Sequence, residues 1–226
     1  SDIRVRKAIQ RAIDVDAAVE AAYFGVAERS TGIIADSLIG HRHIEPMKRA
    51  VEEAKRLLAE AGVSDLTLTL DVNADTKQLT MGQVIQASLA EVGINVVINQ
   101  RDSATFWTLG DESAGDQWKD MQLFINRFSM DPDPSYATEW FTCAQVGVWN
   151  WERVCNPEFD KLHEDAKRER DPNKRAEMYE KAQTLMEESG AYVFLTHERV
   201  GYIYRDKFEV AVDPAGDPLT RNFSHA

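Results

Sequence analysis

Cysteine is almost absent from this 226-residue chain: Cys143 and Cys155 are the only two, and they do not form a CxxC pair. A zinc site built on four thiolates and a thioredoxin-type redox motif are thereby excluded. Long apolar runs are also missing. The best of them, at 92–98 and 191–196, fall far short of the roughly 20 residues that a membrane-spanning helix needs, so the chain is not expected to cross a bilayer. Positive charge is in deficit, with 26 Lys and Arg against 38 Asp and Glu and a formal net charge of -12. Such a surface repels a phosphate backbone, and no basic stripe interleaved with aromatics offsets it, which argues against nucleic acid as a partner.

The local signatures of several chemistries are missing too. No GxSxG elbow, Walker A loop or GxGxxG motif follows an expected strand, so acyl transfer and nucleotide binding lack even their weak signals. Five histidines occur, and His41-Arg42-His43 could place two imidazoles on one side of an extended segment. Without HExxH spacing or an acid at a diagnostic distance, they read as solvated loop residues. No metal or other cofactor is implied.

What is present is ordinary globular material, 43% hydrophobic and 28% charged, enough for one large domain or two small ones. The chain opens Ser1-Asp2-Ile3-Arg4 with no Met and no apolar leader, which reads as the interior of a longer protein, any export signal lying upstream or being absent. Helical spacing of apolar residues predicts helices over 3–13, 15–24, 46–61, 76–92, 103–109, 158–168 and 173–188. Pro46 is expected to open the third, and Asn156-Pro157 and Asp171-Pro172 the last two. Alternation predicts strands over 66–72, 94–99 and 121–128, and a long β segment over 192–204 followed by a polar tail. Strand, helix and strand with short links make a βαβ unit with parallel strands, so the fold class is α/β. The region 27–44 is expected to be a long loop.

Two places stand out chemically. Asp131-Pro132-Asp133-Pro134 could suggest a glycosidase carboxylate pair. Nothing in the sequence marks either as buried, however, and turn formation is the better account. Around Cys143 lie Trp140, Phe141, Trp149 and Trp151, which suit either a half-buried core or the apolar wall of a ligand cleft. The cysteines leave two readings open, buried free thiols or a disulfide. A bridge across this irregular loop would contribute roughly 3 kcal/mol and would point to an oxidising compartment.

Several segments in order resemble the large solute-binding proteins of peptide, nickel and opine ABC importers, of the dipeptide- and oligopeptide-binding type. Residues 5–14, Val-Arg-Lys-Ala-Ile-Gln-Arg-Ala-Ile-Asp, are similar to a V-R-x-A-hydrophobic-x-x-A-I-D segment. Residues 54–62, Ala-Lys-Arg-Leu-Leu-Ala-Glu-Ala-Gly, resemble A-K-x-L-L-x-E-A-G, and residues 89–94, Leu-Ala-Glu-Val-Gly-Ile, resemble L-x-x-[IV]-G-I. The Pro132-Asp133-Pro134 turn and residues 156–160, Asn-Pro-Glu-Phe-Asp, continue the match. The resemblance implies a periplasmic-binding-protein-like lobe, with residues 1–190 as its α/β body and 191–226 as a β segment and tail returning toward the hinge. It also implies a missing amino-terminal lobe, a Cys143–Cys155 bridge and a periplasmic location.

By the same resemblance the function is capture of a small peptide-like, opine-like or other polar solute for delivery to ABC permease subunits, with no enzymatic step. The ligand wall would comprise Arg127, Phe128, Met130, Asp131, Asp133, Trp140, Trp149 and Trp151, with help from the 32–43 loop. In many such relatives the turn is preceded by W-x-x-D-x, where the Trp packs on the ligand and the Asp pairs with its ammonium. Here Arg127 stands for the Trp and Met130 for the Asp, so simple dipeptide recognition is not implied. An arginine there suits an anionic ligand group, or else it faces solvent or pairs with Asp131 or Asp133. A ligand-sensing regulator and, further off, an α/β hydrolase are the alternatives.

Overall fold

The computed structural model describes residues 2–129, 131–214 and 216–225. Its first helix, α1 (Ile3–Ala12), starts where the Asp2 carboxylate accepts the Arg4 N–H at 2.8 Å, and it turns Ala8, Ile9 and Ala12 inward. Asp14 caps α2 (Val15–Tyr23) in the same way, and Phe24 and Gly25, both at positive φ, end it. Helix α3 (Val51–Glu60) begins later than its proline suggests. Arg29 takes the carbonyl of Met47 and Arg11 that of Lys48, while the Ala50 N–H bonds Arg11. With those carbonyls engaged elsewhere, residues 46–50 cannot form the first helical turn.

Next come β1 (Leu66–Asn73), α4 (Thr76–Ala90), β2 (Ile94–Arg101), the single turn α5 (Ser103–Phe106) and β3 (Leu123–Phe124). The sheet has the order β2-β1-β3, with every pair parallel and Leu66 opposite Ile94 at the start of the long ladder. Leu70, Val72, Ile94 and Val96 of the strands meet Met81, Ile85 and Leu89 of α4 and the inner faces of α1 and α2 in the largest core cluster. Each such side chain contributes roughly 1.5–3 kcal/mol by leaving water.

Beyond β3 lie α6 (Pro134–Glu139), α7 (Pro157–Arg168), α8 (Pro172–Glu188), and a small antiparallel pair, β4 (Phe208–Glu209) with β5 (Ser224–His225). Asn156 and Asp171 cap α7 and α8 with Pro in the first turn, as the sequence predicts.

Three further expectations need correction. The strand expected over 121–128 shrinks to two residues: the chain makes one further bond, Ile125 N–H to Asp71 O, and then Asn126 Oδ1 turns back on the Arg127 N–H. The helix expected over 103–109 is one turn long. The segment 192–204 is not a strand. Among the described residues its ladder is confined to the Arg29–Thr196 bridge and the Ser30 N–H to Leu195 O bond, and extended backbone without a partner is not a sheet.

Candidate ligand-binding face

The carboxyl ends of parallel strands are where open α/β sheets place ligands, and here the chain leaving β3 carries Asn126, Arg127 and Phe128 to that edge. Phe128 stacks on Trp140, with centroids 5.9 Å apart and planes 12° apart, and meets Phe141 edge-on. Trp140, at the end of α6, meets Trp149 edge-on at 5.4 Å. Phe128, Trp140 and Trp149 are half-buried and form one continuous aromatic shelf. The indole Nε1 of Trp140 is enclosed and has no hydrogen-bond partner among the described residues, which is unusual for a buried Trp donor.

The loop behind the shelf is fixed from within. Cys143 and Cys155 form a disulfide with Cα atoms 4.5 Å apart. The fully buried Asn150 donates to the carbonyls of Phe141, Thr142 and Val154. Trp151 belongs to this scaffolding: it is buried among Phe106, Trp107 and Phe124, donates to Val148 O at 3.0 Å, and lies directly over Gly110. It therefore presents no surface to the shelf.

The remaining sequence-selected residues separate. Asp131 is exposed, and Met130 lies outside the described residues. Asp133 caps α6 through the Ser135 N–H and accepts Arg175. Its burial alone would raise its pKa, but the Ser135 and Arg175 contacts outweigh this and hold the carboxyl below its ordinary range. Arg127 pairs with neither aspartate; its Nη1 lies 3.3 Å from Glu198. The 32–43 loop is pinned to α8, where Gln183 donates to Gly40 O and accepts the Ile34 N–H.

Sequence reasoning missed the partners of Arg127. The Glu198 carboxylate also accepts from Tyr23 Oη at 2.7 Å and Lys77 Nζ at 3.2 Å, and Lys77 sits 4.7 Å from the Tyr23 ring centre. Burial opposes ionisation of Glu198, yet these donors and the Lys77 and Arg127 charges hold its pKa below the usual value. Tyr23 moves the other way, raised first by burial and then by Glu198. The four residues come from four separate stretches of chain, so no local motif announces them.

A parallel α/β body with an aromatic shelf at its strand ends is the architecture of a binding-protein lobe. Residues 1–147 match the bacterial extracellular solute-binding proteins, family 5 middle region. The chain belongs to that family. It is 26% identical over 232 residues to the dipeptide-binding protein of Escherichia coli (strain K12), covering 99% of this chain and 43% of that protein. It is 29% identical over 222 residues to the probable di/tripeptide-binding protein 5 of Pseudomonas aeruginosa (strain UCBPP-PA14), covering 95% and 41%. The chain thus spans less than half the length of these relatives.

Among solved structures, HbpA2 from Haemophilus parasuis superposes with a TM-score of 0.83 at 22% identity, over 99% of this chain and 45% of that one. The dipeptide-binding protein from Pseudoalteromonas sp. SM9913, in complex with Met-Leu, superposes at 0.80 and 23% identity, over 100% and 45%. The fold is that of periplasmic binding proteins.

Proposed function

We propose that this chain is one lobe of the substrate-binding component of an ABC importer. In this reading it grips a peptide-like solute against the rest of a longer protein and presents it to membrane permease subunits in the periplasm. Opine-like and other polar solutes remain within the reading, and no bond is made or broken. Closure is favoured when the ligand makes contacts in the closed state that the open state lacks.

The observation that supports this most directly is the half-buried shelf of Phe128, Trp140 and Trp149. A flat apolar wall suits a peptide, whose side chain can lie on the rings. In the chain Arg127 directly precedes Phe128 of the wall, and Met130 and Asp131 follow it. The Cys143–Cys155 bridge agrees with an oxidising compartment.

The test is thermal unfolding of the full-length protein against a panel of di- and tripeptides. A binder at 100-fold its Kd should add about 2.7 kcal/mol of stability, without being consumed. Trp140→Ala, which removes the central ring of the shelf, should weaken the response. Peptides that leave the unfolding temperature unchanged, or that are hydrolysed, overturn the reading.

A further inference from the structure

The Glu198 carboxylate is enclosed by three donors that belong to the folded body. Tyr23 closes α2, Lys77 lies in the first turn of α4, and Arg127 follows β3, with donor distances of 2.7, 3.2 and 3.3 Å. The acceptor comes from a different kind of segment. Residues 197–204 donate and accept no backbone–backbone hydrogen bond among the described residues, and Val200, Ile203 and Tyr204 are exposed. The cradle is therefore anchored by helix and sheet, whereas the carboxylate filling it sits on a strip that side-chain contacts hold, chiefly His197 to Ser30 Oγ at 2.9 Å and Arg199 to Glu28 and Asp36 at 3.7 and 3.8 Å. The outer side of the cradle is open, since the side chains of Arg127 and Lys77 are 62% and 48% exposed.

From this arrangement we infer that Tyr23, Lys77 and Arg127 form a subsite for a carboxylate of the transported solute. Glu198 fills the subsite in the unliganded protein and is displaced by that solute. The inference rests on the proposed function and narrows its substrate class to solutes with a free carboxylate.

The exchange is electrically even. Asp75 also faces Tyr23, so the neighbourhood holds two cations and, with Glu198 present, two anions. Replacing one carboxylate by another leaves no buried charge uncompensated. A neutral carboxamide would forfeit the charge-assisted contacts that the three donors provide. Because the subsite is available only while Glu198 is out of it, the apparent affinity is lowered by the fraction of time it is filled.

The experiment is calorimetric titration of the full-length protein with dipeptides bearing free carboxyl termini and with the same dipeptides as carboxamides. The wild type should favour the acids, and Glu198→Gln should tighten the acids by about tenfold, the scale of one charge-assisted contact, while leaving the amides unmoved. Glu198→Asp, which keeps the charge on a shorter arm, should fall between. Lys77→Met and Arg127→Met should loosen the acids alone. Equal affinity for acids and amides, or weaker acid binding in Glu198→Gln, overturns the subsite and leaves the importer reading intact. Failure of both sets to bind removes the peptide reading and the subsite with it.

Discussion

Arg175 reaches across from α8 to place Nη2 2.9 and 2.8 Å from the two carboxylate oxygens of Asp133, the residue that caps α6. One side chain thereby ends a turn, starts a helix and ties that helix to the next layer. Asp133→Ala removes the cap, worth about 1 kcal/mol, and a part-exposed ion pair worth up to about 1 kcal/mol. A loss of about 1–2 kcal/mol is expected in denaturant unfolding. The folded pKa is depressed, so this contribution is present above the unfolded carboxylate value and lost as pH falls through the folded one. The difference between wild type and variant should therefore shrink in acid. A gap that stays constant down to the acid limb would show that the ionised carboxylate does not carry the contact.

Two glycines separate crowding from backbone strain. Gly40 has φ of +83°, and a Cβ there would lie 2.5 Å from Tyr179 Cβ; Gly62 has φ of +67° with nothing within 4 Å. Gly62→Ala should cost about 1 kcal/mol, the left-handed penalty alone. Gly40→Ala adds a clash with a fully buried ring in the small core beneath the 32–43 loop, and about 2–4 kcal/mol is expected. Similar losses in thermal unfolding would mean that the loop gives way freely and is not pinned by α8.

The body of the fold was legible because its signals are local. Alternation in Leu66–Asn73, the spacing in α4 and the Asn and Asp caps of α7 and α8 all appear where the sequence places them. Helix α6 went unread although Asp133-Pro134 carries the same cap-and-proline signal as Asn156-Pro157, because the neighbouring Asp131-Pro132 step suggested only a turn. The 192–204 segment misled for the opposite reason, since β-forming residues make a strand only where a ladder partner exists. In the site, the rings near Cys143 were legible as a cluster, but Trp140 at the shelf and Trp151 in the core are the same residue type eleven positions apart. Only packing over Gly110 distinguishes them. Glu198 pairs with residues 71, 121 and 175 positions away, a distance at which no spacing argument operates.

The Cys143–Cys155 bridge closes a loop of sequence separation 12 that carries Trp149 and Trp151. Cys143→Ser with Cys155→Ser should lower stability by about 3 kcal/mol through the unfolded chain's regained freedom. Asn150 holds the same loop by three carbonyl contacts, so the reduced loop should keep its native shape below the melting range. The near-ultraviolet circular dichroism of the tryptophans should then survive while the unfolding midpoint falls. Loss of that signal at low temperature would show that the bridge, and not Asn150, shapes the loop.

Glu152 behaves oppositely to Asp133. Its Oε2 is enclosed without a hydrogen-bond partner among the described residues, and burial raises its pKa from 4.5 to about 7. The charge also bears on Tyr192, which burial and Glu152 together push upward. A carboxyl whose folded pKa is raised supports the fold fully below the unfolded value, near 4.5, and loses that support as pH rises through about 7. From this group alone, stability should fall between pH 5 and 7 and level off above. Glu152→Gln, uncharged at every pH, should remove that slope, so that its unfolding temperature exceeds the wild type's more at pH 8 than at pH 5. An unchanged slope in the variant would mean that Glu152 ionises freely, with water reaching a carboxyl that the packing encloses.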